Sequence, residues 1–176
     1  MINKQLKSIY SVFTCLLFLF YISCKEKETK TKIKGKHYTS YSDNKVAYDL
    51  HFPDTVHINQ KYNGKIVYKG ILDSITTTFG DKKKDRYILY MMTTTDRVDY
   101  DFKHLKKIAK DTFGATNYRT IPFYDVKFNK LGVHYIDGYI NDNVLLDILT
   151  KDNISTDKVR YIENEVRATH KVVVIE

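Results

Sequence analysis

Histidine and aspartate are the residues of this chain that could hold a metal ion or transfer protons. None of the six histidines stands at the spacing of a zinc motif such as His-Glu-x-x-His, so no zinc site is predicted at His37, His51, His57, His104, His134 or His170. Asp96, Asp99 and Asp101 cluster, but they lack the order and the distal Glu of a calcium loop. They are better explained by helix capping. We therefore assign no metal and no cofactor.

No short motif for nucleophilic catalysis or phosphate binding is present. The chain has no Gly-x-Ser-x-Gly elbow, and its seven glycines are scattered. We assign no catalytic residue. Asp137 remains of interest, because strand alternation places it on the face of Tyr135 and Tyr139. A buried carboxylate there would need a partner, whereas exposure at a sheet edge would need none.

Tyrosine-rich strands are a candidate surface for a glycan or a protein. The tyrosines concerned are Tyr62, Tyr68, Tyr87, Tyr90, Tyr135 and Tyr139. Tyrosine is also a good strand former that buries a large area, and the chain has no tryptophan. We therefore expect these residues mainly to fill a core.

Cys24 follows the pattern of a secretory signal peptide. Lys4 and Lys7 precede an apolar stretch over residues 9–22, and the small residue Ser23 follows it. A membrane-spanning helix needs roughly 20 apolar residues, so this stretch is better suited to a signal peptide than to a span. Residues 1–23 are accordingly predicted to be a signal peptide. Its removal would discard Cys15, the one other cysteine, and leave no disulfide in the folded part.

The segment Phe20-Tyr21-Ile22-Ser23-Cys24 resembles the lipobox of bacterial lipoproteins. The resemblance implies cleavage between Ser23 and Cys24 and lipidation of Cys24, with palmitate among the attached chains. Each buried methylene contributes about 0.8 kcal/mol, so two or three such chains would hold the protein stably on a membrane.

Residues 24–36 form the lipidated cysteine and a charged tether in this interpretation. Lys25 to Lys32 contains no apolar residue, so it cannot offset the entropy of ordering. The run resembles the charged segment after the lipidated cysteine of surface lipoproteins of the Bacteroidota, and the residue directly after Cys24 is not the Asp that retains many lipoproteins at an inner membrane. The resemblance implies a lipid anchor in the bacterial outer membrane, at the cell surface or the periplasmic face.

The positive charge of the chain lies mostly outside its folded part. The net charge is +8, yet residues 37–176 carry 21 basic and 19 acidic side chains. A near-neutral domain has no phosphate-binding footprint, so we predict no nucleic-acid partner.

Residues 37–176 are predicted to be a single all-β domain. Eight or nine short strands follow one another at roughly 8–12-residue spacing, which favours a mainly β, antiparallel immunoglobulin-like β-sandwich with one short helix. A closed β-barrel is the alternative, because both architectures alternate inward and outward residues.

The period of the apolar residues locates individual elements. Residues 46–52 alternate as a half-buried strand, and residues 101–110 have helical spacing with Asp99 or Asp101 as cap and Gly114 beyond the end. Hairpins are predicted between 71–79 and 86–92 and across the turn at 129–132. A further turn is predicted at Asn141-Asp142-Asn143. The apolar run 172–175 predicts a central or well-covered strand.

The function expected from these features is that of a lipid-anchored, non-enzymatic binding or accessory module of the outer membrane. Its partners would be the membrane, through the anchor, and an outer-membrane protein or a glycan. The alternatives are a lipid-anchored envelope enzyme whose active site assembles only in the fold, and a structural envelope protein. Perturbed carboxylates or histidines in a concave pocket would favour the enzyme.

Overall fold

A computed structural model describes residues 38–152 and 155–176 of the chain. The predicted signal peptide, the cleavage and lipidation residues Ser23 and Cys24, and the tether over 24–36 lie outside these described residues. The described residues belong to one compact unit, Lys34–Glu176. Within them, no helix combines the length and apolar character required to cross a membrane.

Across residues 38–152 and 155–176, nine strands form two packed sheets. The four-stranded sheet has the order β1 (Tyr38–Ser42), β2 (Val46–His51), β4 (Lys61–Gly70) and β7 (Thr120–Lys127). The five-stranded sheet has the order β3 (Thr55–His57), β9 (Ser155–Ile175), β8 (Gly132–Leu149), β5 (Lys84–Thr95) and β6 (Asp111–Gly114). Neighbours are antiparallel except for β3 and β9, which are parallel. The prediction of a mainly β sandwich with one short α-helix is confirmed.

The core lies between the sheets and follows the alternation of the strands. In β2, Val46, Tyr48 and Leu50 are buried, while the residues between them are half-buried on the outer face. Aromatic rings fill the interior; Phe52, for example, stacks on Phe123 with ring centroids 5.8 Å apart. Large aromatic side chains thus give a domain without disulfides much of its buried area.

The described part of the chain contains one α-helix, α1 (Phe102–Ile108), which lies on the outer side of the five-stranded sheet. Asp101 is its N-cap, and its side chain accepts a hydrogen bond from the backbone N–H of His104 at 2.7 Å. Leu105 is fully buried, and Phe102 contacts the ring of Tyr139 edge-on. The predicted helix and its Asp101 cap are confirmed. Gly114 does not follow the helix directly, because it ends the short strand β6.

The predicted hairpin between 71–79 and 86–92 is wrong. Ile71–Ser74 forms a 3-10 helix, and β5 pairs with β8 and β6. The prediction that this strand is central is confirmed, since β5 has a neighbour on each side. Local apolar content at 71–79 gave no information on where the segment packs: Leu72 enters the core, while Ile71 is exposed.

The turn at 129–132 does not close a hairpin either. The chain there leaves the four-stranded sheet at the end of β7 and enters the five-stranded sheet as β8. Phe128 is buried between the two, so it anchors the crossing. The turn signal was correct, but turn chemistry does not determine which sheet the next strand joins.

The predicted turn at Asn141-Asp142-Asn143 is also wrong. These residues lie inside β8, which runs without interruption from Gly132 to Leu149. All three are buried. Their local preference for turns is overridden because each side chain finds partners within the sheet or core, as described below.

The C-terminal run 172–175 lies in β9 between β3 and β8, as predicted. Val172 and Val174 are buried, at 0% and 2% exposure, whereas Val173 and Ile175 are 39% and 41% exposed. The strand is therefore covered on one face only. Val173 and Ile175, on the outer face of β9, therefore remain in contact with water.

Candidate functional site

A groove crosses the outer face of the four-stranded sheet, and it is the candidate binding site. Its volume is about 560 Å³, within the range of roughly 300–1,000 Å³ usual for ligand sites. Strands β1, β2 and β4 and the residue preceding β7 line it, through Ser40, Ser42, Ala47, Asp49, Val67, Lys69 and Arg119 among others.

Short side chains create the space. In the strand register Ser42 lies opposite Ala47, which in turn lies opposite Lys69. The next row places Ser40 opposite Asp49, and Asp49 opposite Val67. Because the outer-face residues of β1 and β2 are small near this crossing, the sheet surface is left open there.

The polar groups of the groove are held in place by neighbours. The hydroxyl of Ser40 donates a hydrogen bond to the carboxylate of Asp49. Arg119 lies opposite Tyr68, whose backbone N–H donates to the Arg119 carbonyl at 2.8 Å. The guanidinium of Arg119 lies over the Tyr118 ring, with Cζ 4.4 Å from the ring centroid. The site therefore offers one oriented carboxylate and one oriented guanidinium.

Arg119 is the half-exposed end of a row of alternating charges. Its Nη1 lies 2.5 Å from Asp73 Oδ2, and Asp73 Oδ1 lies 2.9 Å from Arg86 Nη2. Arg86 in turn binds both oxygens of Asp142, through Nε at 2.9 Å and Nη2 at 2.8 Å. The side chains of Arg86 and Asp142 are fully buried, while that of Arg119 is 36% exposed.

The buried end of this row is closed by further hydrogen bonds. Arg86 Nη1 donates to the carbonyl of Thr76, and the hydroxyl of Tyr68 donates to Asp142 at 3.0 Å. Burial, together with the nearby Asp142 carboxylate, raises the pKa of Tyr68 well above its ordinary value. The phenol is thus a fixed donor, and the Arg86–Asp142 pair acts as support for the groove.

Asp137 lies at the centre of a second buried cluster, on the outer face of the five-stranded sheet. It is fully buried and accepts hydrogen bonds from Arg167 at 3.0 and 2.6 Å, from Tyr100 at 2.7 Å and from Thr169 at 2.6 Å. Of the two possibilities left open by the sequence, the buried carboxylate with partners is the one observed.

This second cluster attaches the segment before α1 to the sheet. Arg167 also donates to the carbonyls of Tyr100 and Val98, at 3.0 and 3.3 Å. Burial and the hydrogen bond to Asp137 raise the pKa of Tyr100 to about 12, so it stays protonated as a donor at neutral pH. The Asp137 carboxylate is enclosed by its own partners, so its role is structural.

Two further carboxylates meet beside α1. The side-chain amide of Asn141 donates to Glu163 at 2.6 Å and to Glu165 at 3.0 Å. Lys106 of α1 forms an ion pair with Glu165. Its ammonium also lies 5.7 Å from the ring centroid of Tyr139. These contacts explain how a buried asparagine is accommodated in β8 and how the helix is held on the sheet.

The histidines and aspartates that the sequence analysis weighed as possible metal ligands do not form a shared metal site in the described residues. His51 lies in β2 and His57 in β3, which belong to different sheets. In the described part of the chain, no group of three or more His, Cys, Asp or Glu residues could hold a metal ion. Of the tyrosines, Tyr68 and Tyr90 are fully buried in the core, whereas Tyr87 is 37% exposed.

The groove residues themselves were missed by sequence reasoning. Ser40, Asp49 and Lys69 look like ordinary outward residues of three separate strands, and Arg119 stands in a loop. Their proximity depends on the pairing of β1 with β2 and of β2 with β4. The alternation of apolar and polar residues along each strand could have placed Ser40, Asp49 and Lys69 on an outer face. It does not tell which strands are neighbours in the sheet.

Comparison with known proteins found no matching family model, no matching curated protein and no matching solved structure. The function is therefore argued from the residues alone.

Proposed function

We propose that this chain is a lipid-anchored binding module of a bacterial outer membrane, without enzymatic chemistry of its own, and that its ligand occupies the groove on the four-stranded sheet. Cys24 would carry the lipid, and residues 25–36 would form the tether. The proposal combines the lipobox resemblance with the groove, which is the observation that carries the binding function.

The groove supports binding because it is open and its polar groups converge. Arg119 and Asp49 are each held by a neighbour, so little side-chain freedom is lost when a ligand arrives. Lys69 is a second cation that lines the same groove as Arg119. A rigid β-sandwich that presents such a surface is suited to recognition.

The enzyme alternative has less support from the same groove. Proton transfer needs a titratable acid or base placed in a concave site. Among the residues that line the groove, Asp49 is the one carboxylate, and histidine is absent. Tyr41, Tyr48 and Tyr68 also line the groove, and the pKa of each is raised, so these phenols stay protonated at neutral pH and are hydrogen-bond donors, not bases.

The tether is long enough to bring the groove to a membrane partner. Tyr38 begins β1, and 13 residues separate it from Cys24. An extended chain spans at most about 3.3–3.6 Å per residue, so the first strand can lie up to roughly 45 Å from the anchor. A ligand or partner within this distance of the membrane would be accessible to the module.

Photo-crosslinking in intact cells tests the groove as the binding site. We would place a photoreactive phenylalanine at Val67, which lies in the groove, and separately at Val133 on the five-stranded sheet; the two valines are 37% and 46% exposed. We expect the photoreactive residue at position 67 to form one crosslinked product (an adduct) with a component of the cell envelope. The same residue at position 133 should form none. Adding Ala47→Trp, which fills the groove, should abolish the adduct. Equal adducts from both positions, or an adduct that persists with Ala47→Trp, would contradict the proposal.

A further inference from the structure

We propose that the ligand of this groove is a carboxylate-bearing sugar, held by Arg119 and Lys69 through the carboxylate and by Ser40 and Asp49 through hydroxyl groups. This inference rests on the proposed function and names the class of ligand that the groove would take.

Arg119 provides the oriented half of an anion site. Within the described residues, the Arg119 side chain donates hydrogen bonds to Asp73 and to the Tyr68 carbonyl, and both use Nη1. The guanidinium plane is fixed by these bonds and by stacking on Tyr118. A planar guanidinium can donate two parallel hydrogen bonds to a carboxylate, and in this proposal Nε and Nη2 of Arg119 would donate them.

Lys69 provides the second cation of the anion site. It lies on the outer face of β4, one residue beyond Tyr68, and lines the same groove as Arg119. A Lys ammonium is a compact charge with three rotatable donors, so it can follow an anion that Arg119 has already oriented. The Arg86–Asp142 pair behind Asp73 keeps Asp73 in position, so that Asp73 orients Arg119 from below the surface.

The other half of the groove suits hydroxyl groups. Ser40 and Ser42 offer hydroxyls that donate and accept, and Asp49 offers carboxylate oxygens that only accept. Asp49 would repel a second anion, so the ligand must carry neutral donors at that side. A sugar acid has this distribution, with one carboxylate and several hydroxyls on a single ring. An acidic peptide supplies the carboxylates but not the ring of donors.

Titration calorimetry on the full-length chain in detergent micelles tests this inference. The probes are tetragalacturonate, the neutral galactose tetramer and a tetraglutamate peptide. We expect tetragalacturonate to bind at least about tenfold more tightly than either other probe, which corresponds to about 1.4 kcal/mol. Lys69→Gln and Arg119→Lys should each weaken that binding by about fivefold or more. Lys65→Gln, on the same strand and face but outside the groove lining, should leave it unchanged.

Several results would overturn the inference. These are equal binding of the acidic and neutral tetramers, tighter binding of the peptide, absence of binding at about 1 mM probe, or equal losses for Lys69→Gln and Lys65→Gln. Two failures can be told apart: a groove that binds a ligand other than a sugar acid, and a groove that is not a binding site at all. In the first case the groove-dependent adduct at Val67 is retained, and in the second case that adduct is absent as well.

Discussion

Arg86 is a fully buried cation in the interior of the sandwich. Its fully buried guanidinium binds Asp142 with two hydrogen bonds and also pairs with Asp73. A buried ion pair is not a strong source of stability, because removing both charges from water has a large cost. We expect the Arg86–Asp142 pair mainly to fix the position of Asp73, because Asp73 must lie where it can hold Arg119.

Replacing Arg86 with Met tests this role at the residue scale. The substitution leaves the Asp142 carboxylate buried without its partner, so we expect the free energy of unfolding to fall by about 3–5 kcal/mol. Chemical denaturation measures this change. Lys61→Met is the matched control, because Lys61 and Asp125 form an ion pair at 3.2 Å with both side chains over 60% exposed. Its loss should change the free energy of unfolding by less than about 1 kcal/mol. Similar losses for the two variants would show that Arg86 is not the buried centre of the network.

The sequence predicted residue roles well where the partner is local. Asp101 caps α1 through a backbone N–H three residues away, so the pattern of helical spacing was sufficient to find it. The Arg86–Asp142 and Arg167–Asp137 pairs join residues 56 and 30 positions apart. Alternation indicated that Asp137 could be buried and need a partner, but it could not name Arg167, because the pairing of β8 with β9 was unknown.

At the scale of elements, strands were predicted better than their connections. β2 was found because its apolar alternation is regular and it ends before Pro53. The hairpin across 129–132 and the turn at 141–143 were wrong for the same reason. Gly132 and the Asn-Asp-Asn triplet have strong turn preferences, but burial of Phe128 and the partners of Asn141 and Asp142 decided the path of the chain. Tertiary contacts override local preference in such segments.

Two neighbouring valines of β9 test which face of this strand is covered. Val174 is 2% exposed and lies between Val56 of β3 and Gly132 of β8. Val174→Asp would bury an unpaired carboxylate, so we expect the free energy of unfolding to fall by at least about 3 kcal/mol. Val173→Asp places the same charge on the outer face, at a residue 39% exposed, and should cost less than about 1 kcal/mol. Thermal or chemical denaturation compares them, and a larger loss for Val173→Asp would mean that the faces of β9 have been assigned the wrong way round.

At the scale of the whole molecule, two features bear on the proposed anchored binding module. Its first strand begins only 14 residues after Cys24, and β1 itself contributes Ser40 and Ser42 to the groove. The first strand after the proposed tether in sequence is therefore also part of the proposed binding surface. In the proposed function, this arrangement would allow recognition close to a membrane.

Acylation of Cys24 is the claim on which that function depends most, and metabolic labelling with a palmitate analogue tests it directly. The native chain should be labelled and should fractionate with the outer membrane. Cys24→Ala should abolish the label and move the protein to the soluble fraction. Cys15→Ala is the matched control, since Cys15 is the one other cysteine of the chain, and it should leave both label and location unchanged. Labelling that persists in Cys24→Ala, or a native chain that is never labelled, would contradict the lipid anchor.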